Sequence, residues 1–226
     1  MANNKKEEET RTSIDNLNDS LTNIEQKVQN NQKAILWVTI IGAAVVAAIF
    51  IYIYAIRQPG QNAADNAIGQ ADTQLMMGND SIALAQYMQV ADEHGYDAGN
   101  RAALNAAILL YKNKKYQEAL TYLNNYKTKD DIIGAAAISL KGDCYVNLKQ
   151  YDNALSAFDE AIKVSDNNPA YTPYFMMKKA TVLHELKKYS EEAAVYSAIM
   201  TDYPTYGDQN RIDIEKYKLR AEKLAK

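Results

Sequence analysis

His94, His184 and Cys144 are the side chains of this 226-residue chain best suited to metal or nucleophilic chemistry. A zinc site needs three or four thiolate, imidazole or carboxylate ligands at close spacing. The two histidines lie 90 residues apart, with no cysteine or second histidine at ligand spacing. Both read as surface or hydrogen-bonded histidines. A nucleophile needs a base beside it. The sequence offers no Gly-x-Ser-x-Gly elbow, no phosphate-binding glycine loop and no Cys/His set. Its acidic residues are scattered as on solvated faces. Cys144 has no second cysteine to pair with, so it reads as a small buried apolar residue. No catalytic residue, metal ligand or cofactor-binding residue is expected: the chain reads as a binding protein that needs no cofactor, not as an enzyme.

Net charge is -3 and the pI is near 5.5, so no overall basic field invites nucleic acid. Four prolines and nine glycines are few for an all-β chain of this length. The abundance of alanine, leucine, lysine and glutamate favours helix. The seventeen tyrosines read mostly as core fillers, some of them lining a peptide groove.

Residues 34–56 read AILWVTIIGAAVVAAIFIYIYAI, without a charge. As a helix these 23 residues extend roughly 35 Å, enough to cross a hydrocarbon layer of about 30 Å. Trp37 near one end, and Tyr52 and Tyr54 near the other, suit the membrane–water boundaries. A cleavable signal has a shorter apolar core and a small-residue cleavage site, so an uncleaved single-pass anchor is expected. Lys27 and Lys33 precede the span closely, and Lys5, Lys6 and Arg11 lie farther off. Arg57 alone follows it, and the next basic residue is Arg101. Asp65, Asp72, Asp80, Asp92, Glu93 and Asp97 fill the interval. That asymmetry places the N-terminus in the cytoplasm and the large domain outside, in the periplasm of a two-membrane bacterium.

Within the span, Ala43 with Ala47 and Ala44 with Ala48 repeat at four-residue spacing beside Gly42. Such a small-residue face lets membrane helices approach closely. Ahead of it, Ile14, Leu17, Leu21, Ile24 and Val28 recur at intervals of 3 and 4, and Ile35 continues the register. Asn31 interrupts this short heptad seam. A dimer seam, a docking helix for a partner and a membrane-surface helix all fit it.

The remainder repeats itself. Gly142, Tyr145, Tyr151, Ala154, Phe158 and Ala161 fall in the stretch AISLKGDCYVNLKQYDNALSAFDEAIK. Gly142-x2-Tyr145 on a first helix, followed by Ala154-x3-Phe158 on a second, resembles the tetratricopeptide repeat (TPR). Ala180, Leu183, Leu186, Tyr189 and Tyr196 restate Gly142, Tyr145, Leu148, Tyr151 and Phe158 at an offset of 38 residues, and Pro204 closes that unit. Ala107, Leu110, Tyr116, Ala119 and Leu123 precede the Gly142 set by 35. Ala83, Tyr87 and Ala91 mark a degraded fourth unit. Glu192 stands where the pattern asks for alanine, with Ala193 beside it, which suggests a rotation or shift of that helix. Two helices cross closely only where small residues meet, and no repeat buries its face alone. The expected fold is therefore all-α: one transmembrane helix, then a helical-hairpin solenoid closed by a capping helix. The expected boundaries are a cytoplasmic segment 1–33, the span 34–56, a linker 57–61 and a repeat domain 62–226. Within that domain, units fall at about 62–94, 100–130, 133–166 and 172–205, with a cap at about 208–225.

First helices line the inner face of such a stack. By helical phase, Ile108, Tyr111, Asp143, Asn147, Met177, Thr181, His184 and Glu185 are the candidate peptide-binding residues. This mixed surface suits an extended or helical peptide held by apolar and amide contacts.

The layout of short N-terminal segment, one span and TPR domain resembles the YfgM-type ancillary subunits of the bacterial SecYEG translocon. It shares their domain type with cell-division coordinator proteins. Ala98-Gly99-Asn100-Arg101-Ala102-Ala103 opens a repeat, and Ile214-Glu215-Lys216-Tyr217 lies near the end. The resemblance covers roughly residues 33–226. It implies an inner-membrane protein at the exit side of the translocon, partnered by a membrane-anchored prolyl isomerase, that hands over emerging chains. A structural adaptor for envelope assembly or division, with no role in export, is the competing expectation.

Overall fold

The structure is a computed structural model that describes residues 21, 22, 24, 27–128 and 130–226. The chain divides into two compact units, Met1–Pro59 and Gly60–Lys226.

In the first unit, α1 (Gln32–Ile51) leads into a π-helical stretch, Tyr52–Arg57. α1 buries none of its residues: Ile35, Trp37, Val45 and Ile49 are all exposed. A helix apolar on every side needs lipid or protein around it, and this one is long and apolar enough to cross a membrane. Thr39 meets its own polar demand by donating to the Ile35 carbonyl at 2.9 Å. Pro59 follows the widened π turn; it has no N–H to give, and its ring crowds the carbonyl four residues back. Residues 57–61, read above as a linker, lie within helix. Leu21, Ile24 and Val28 of the heptad seam are exposed on helix, whereas Ile14 and Leu17 lie outside the described residues.

α2 (Gln58–Met76) carries the unit boundary in its first turn. It is followed by α3 (Asp80–Glu93), α4 (Asp97–Lys112), α5 (Tyr116–Asn125), α6 (Asp131–Asn147) and α7 (Tyr151–Val164). α8 (Thr172–Glu185), α9 (Tyr189–Asp202), the short α10 (Tyr206–Asn210) and α11 (Ile214–Leu224) complete the chain. From α3 to α9 each helix packs on the next, and α11 closes the stack against α9. No strand occurs among the described residues. The fold is all-α, a solenoid of helix pairs α2/α3, α4/α5, α6/α7 and α8/α9.

Small residues make this packing possible. Ala64 and Ala71 of α2, Ala83 of α3, Ala102, Ala106 and Ala107 of α4 and Ala119 of α5 are fully buried in one cluster with Ile68, Tyr87 and Leu110. A Cβ placed on Gly142 would come within 2.6 Å of the Phe158 ring, so α6 and α7 cross where only hydrogen fits. Ala154, Phe158 and Val182 form the next layer, and Ala180, Tyr196, Ile199, Tyr206 and Ile214 the last.

The turn inside each helix pair is the same device four times. Gly78, Lys114, Lys149 and Lys187 all have φ between 57° and 79°. Each N–H returns to the helix it follows: Gly78 to Leu75, Lys114 to Tyr111, Lys149 to Val146 and Lys187 to His184. The next residue reaches one step further back: Asn79 to Gln74, Lys115 to Leu110, Gln150 to Tyr145 and Lys188 to Leu183. This paired arrangement satisfies the carbonyls left over at a helix end.

Connections between pairs are pinned individually. The Asn100 amide donates to the Lys127 carbonyl at 2.9 Å and accepts from the Lys127 N–H at 2.7 Å, tying the loop after α5 to the start of α4. Asp130 caps α6 through the Ile132 and Ile133 N–H groups. Ser165 and Thr172 share a buried hydroxyl hydrogen bond of 2.7 Å, and Pro173 begins α8 where an N–H has no helical partner.

Candidate functional site

The first helices α4, α6 and α8 share one polar and aromatic cluster. Asp143 of α6 is ion-paired with Lys178 of α8, and each side chain is only 22 % exposed. The Lys178 ammonium lies 4.9 Å from the Tyr174 ring centre and 5.9 Å from that of Phe158, over both faces. Asn147 donates to the Asp143 carbonyl at 2.8 Å and reaches the Tyr111 hydroxyl of α4 at 3.5 Å. Tyr111 packs edge-on against Tyr116, centroids 5.5 Å apart. Burial raises the Tyr111 pKa, and the Asp143 charge adds to the rise. Burial also raises the Asp143 carboxyl, with Lys178 pulling the other way.

Three of the residues read from helical phase, Tyr111, Asp143 and Asn147, therefore meet in one network spanning two repeats. Lys178 belongs to it too and was not among them. Its signal in the sequence is the repeat offset, since 178 lies 38 residues after Leu140 on the same helical row. Ile108 is exposed on α4, one turn before Tyr111. Thr181 and Glu185 are exposed on α8. Met177 is half-buried against the last core layer. His184 is half-buried, with Nδ1 2.9 Å from Glu192 of α9 and its ring tilted against Tyr189 at 5.5 Å.

Glu192 itself is fully buried. α9 keeps its register, with Ala193 also buried, so the departure from the alanine pattern is absorbed by hydrogen bonds and not by rotation. Arg220 of α11 supplies the second, at 3.1 Å. Gly42, Ala43, Ala44, Ala47 and Ala48 are exposed on α1, and Gly42 has open space beside it. Cys144 is buried beside Asp143, and burial pushes its thiol up to about 12. Among the described residues, no three or more His, Cys, Asp or Glu side chains are grouped to hold a metal ion.

The helix pairs, the crossing at Gly142 and the recurrent turn define a helical-repeat protein. A family model of the tetratricopeptide repeat matches residues 68–131 and 139–206, more than half of the chain. The chain belongs to the tetratricopeptide repeat family. Two crystal structures of MamA resemble it: one at TM-score 0.51 and 13 % identity, covering 69 % of this chain and 94 % of that one, the other at 0.54 and 13 %, covering 71 % and 87 %. A third similar structure is YrrB, described as a TPR protein with an unusual peptide-binding site. It superposes at TM-score 0.50 with 16 % identity over 70 % of this chain and 84 % of its own. At these identities the likeness is one of fold. Compared by sequence, no curated protein matches the chain. TPR arrays are protein-interaction modules as a class, and binding of proteins or peptides is the function this family membership supports.

Proposed function

We propose that the chain is a membrane-anchored peptide-binding subunit in which the first-helix face receives a polypeptide. The observation that carries this is the cluster Tyr111, Asp143, Asn147 and Lys178, which joins three successive first helices and leaves Ile108, Thr181 and Glu185 exposed beside it. Amide and hydroxyl groups there offer main-chain hydrogen bonds, and Ile108 and Met177 offer apolar contact. His184 closes one end of the row. α1 is the anchor of this reading, with Gly42, Ala43, Ala44, Ala47 and Ala48 as the face that packs on another membrane helix.

The lysines before the span and the acidic stretch after Arg57 support an N-terminus in the cytoplasm and an array in the periplasm of a bacterial inner membrane. The resemblance at residues 98–103 and 214–217 supports work beside the SecYEG translocon, with a membrane-anchored prolyl isomerase as neighbour, in a chaperone-like handover of emerging chains. Tethering raises the effective concentration of anything that emerges nearby, so modest intrinsic affinity suffices.

Photo-cross-linking in cells tests this directly. A photoreactive residue at Ile108 or Thr181 is expected to capture polypeptides, including translocon components or exported chains, and one at the second-helix positions Asn153 or Glu160 is not. Equal capture from both sets would show that the inner face is not the binding surface. Recovery of envelope-assembly or division proteins alone, with no exported chain, would favour the structural adaptor.

A further inference from the structure

We propose that the inner face selects segments of a polypeptide that carry no carboxylate and are rich in apolar and aromatic residues, and discriminates against C-terminal carboxylates and acidic stretches. This rests on the reading of that face as a peptide site.

The cations of the first helices are few, and each is engaged or turned away. α2 has none, and α4, α6 and α8 together carry Arg101, Lys112, Lys141, Lys178 and Lys179. Arg101 is bonded to Asp72 at 2.8 Å and Lys112 to Asp80 at 2.6 Å. Lys179 is bonded to Asp159 at 2.6 Å, and Lys178 is held by Asp143. Lys141 lines a small cleft with Tyr126 and Glu160, between its helix and the second helices, so it serves the other side. Within the first helices themselves, no lysine or arginine is both unpaired and turned to this face to receive a carboxylate.

Lys178 sits where a receptor would be expected, at the centre of three helices, and it is committed three ways: to Asp143 and to the faces of Tyr174 and Phe158. A ligand carboxylate would have to take the ammonium away from Asp143. That would leave a largely buried carboxylate without its partner and facing a second negative charge, which is unfavourable on both counts. An uncharged segment asks for no such exchange. What remains open to it is apolar and aromatic: Ile108 at 46 % exposure and Tyr174 at 47 %, with Leu140 half-buried on α6. Asn147 Oδ1 and Thr181 Oγ1 are there to accept from main-chain N–H groups, their own donors being engaged with the Asp143 and Met177 carbonyls.

The test uses the full chain in detergent micelles and fluorescence anisotropy. The probes are labelled twelve-residue peptides of Leu, Tyr, Ser and Asn in three forms: C-terminally amidated, with a free C-terminal carboxylate, and amidated with two Leu replaced by Glu. The amidated neutral form is expected to bind about fivefold or more tighter than either acidic form. Asp143→Asn frees Lys178 and is expected to reverse that order, with helicity checked by circular dichroism. The comparison on the unaltered chain stands whether or not this variant folds. A wild-type preference for the free-carboxylate or Glu-bearing peptide would overturn the inference and leave the peptide-binding reading intact. Failure of all three peptides to bind would overturn both.

Discussion

Glu192, with no exposed surface, accepts a hydrogen bond from Arg220 at 3.1 Å and so fastens the capping helix α11 to α9. Its other oxygen meets His184 Nδ1 at 2.9 Å. Arg220 is 46 % exposed and rests on the Tyr217 ring, which in turn stacks on Tyr196. The two partners of this pair are thus unequal: the guanidinium can hydrate if released, and the carboxylate cannot.

That inequality fixes an order of stabilities. Arg220→Ala leaves the buried carboxylate with His184 as its remaining partner and is expected to cost about 1–3 kcal/mol. Glu192→Ala leaves a cation that water can reach and is expected to cost less, and the double variant is expected to recover part of the Arg220→Ala loss. Denaturant unfolding of the full chain in detergent, followed by circular dichroism, gives the ranking. Glu192→Ala proving the more damaging single change would refute the account.

Gly142 faces a ring and not a gap. Gly142→Ala is expected to cost about 1–3 kcal/mol by overpacking against Phe158. Gly142→Leu is expected to cost more. Pairing Gly142→Ala with Phe158→Leu should return part of the loss, because the smaller side chain vacates the space the methyl needs. The same unfolding experiment decides: if the second change adds its full cost to the first, the two residues do not compete for one volume.

Lys114, Lys149 and Lys187 hold a left-handed backbone that glycine adopts freely, as Gly78 does in the first turn. Replacing any one of the three lysines with glycine is expected to raise stability by about 0.5–1 kcal/mol, since native strain is relieved by more than unfolded-chain entropy increases. A lowered melting temperature in all three variants would show that the lysine side chains contribute more than their backbone strain takes away.

Cys144 should be inert while the array is folded. Its thiol rises from an ordinary 9.0 to about 12, burial being the larger cause and Asp143 the smaller. The raised value favours the protonated native state. The associated stability is therefore complete below pH 9.0 and is lost as pH climbs through about 12. At pH 8 alkylation by iodoacetamide is expected to be at least roughly a hundredfold slower in the native chain than in denaturant. Comparable rates would place the thiol at the surface.

The sequence alone determined the class of fold and its period. Gly142, Tyr145, Ala154 and Phe158 announce a helix pair because packing two helices closely demands small residues at set intervals, and intervals are visible in one dimension. The uncharged run of residues 34–56 is legible for the same reason, since only composition and length are at stake. Phase likewise brought Tyr111, Asp143 and Asn147 to one face.

What the tertiary structure decided is pairing across distance. Glu192 reads as a misfit in its helix until Arg220, 28 residues on, is seen to reach it. Lys178 is not singled out by helical phase, and only the folded chain shows Asp143, 35 residues before it, and two aromatic rings around it. Even the lysines at the turns reveal their left-handed backbone only once the chain is closed on itself. Charge neutralisation depends on which carboxylate the folded chain carries to each ammonium, and that is a fact of three-dimensional proximity that spacing along the chain does not encode.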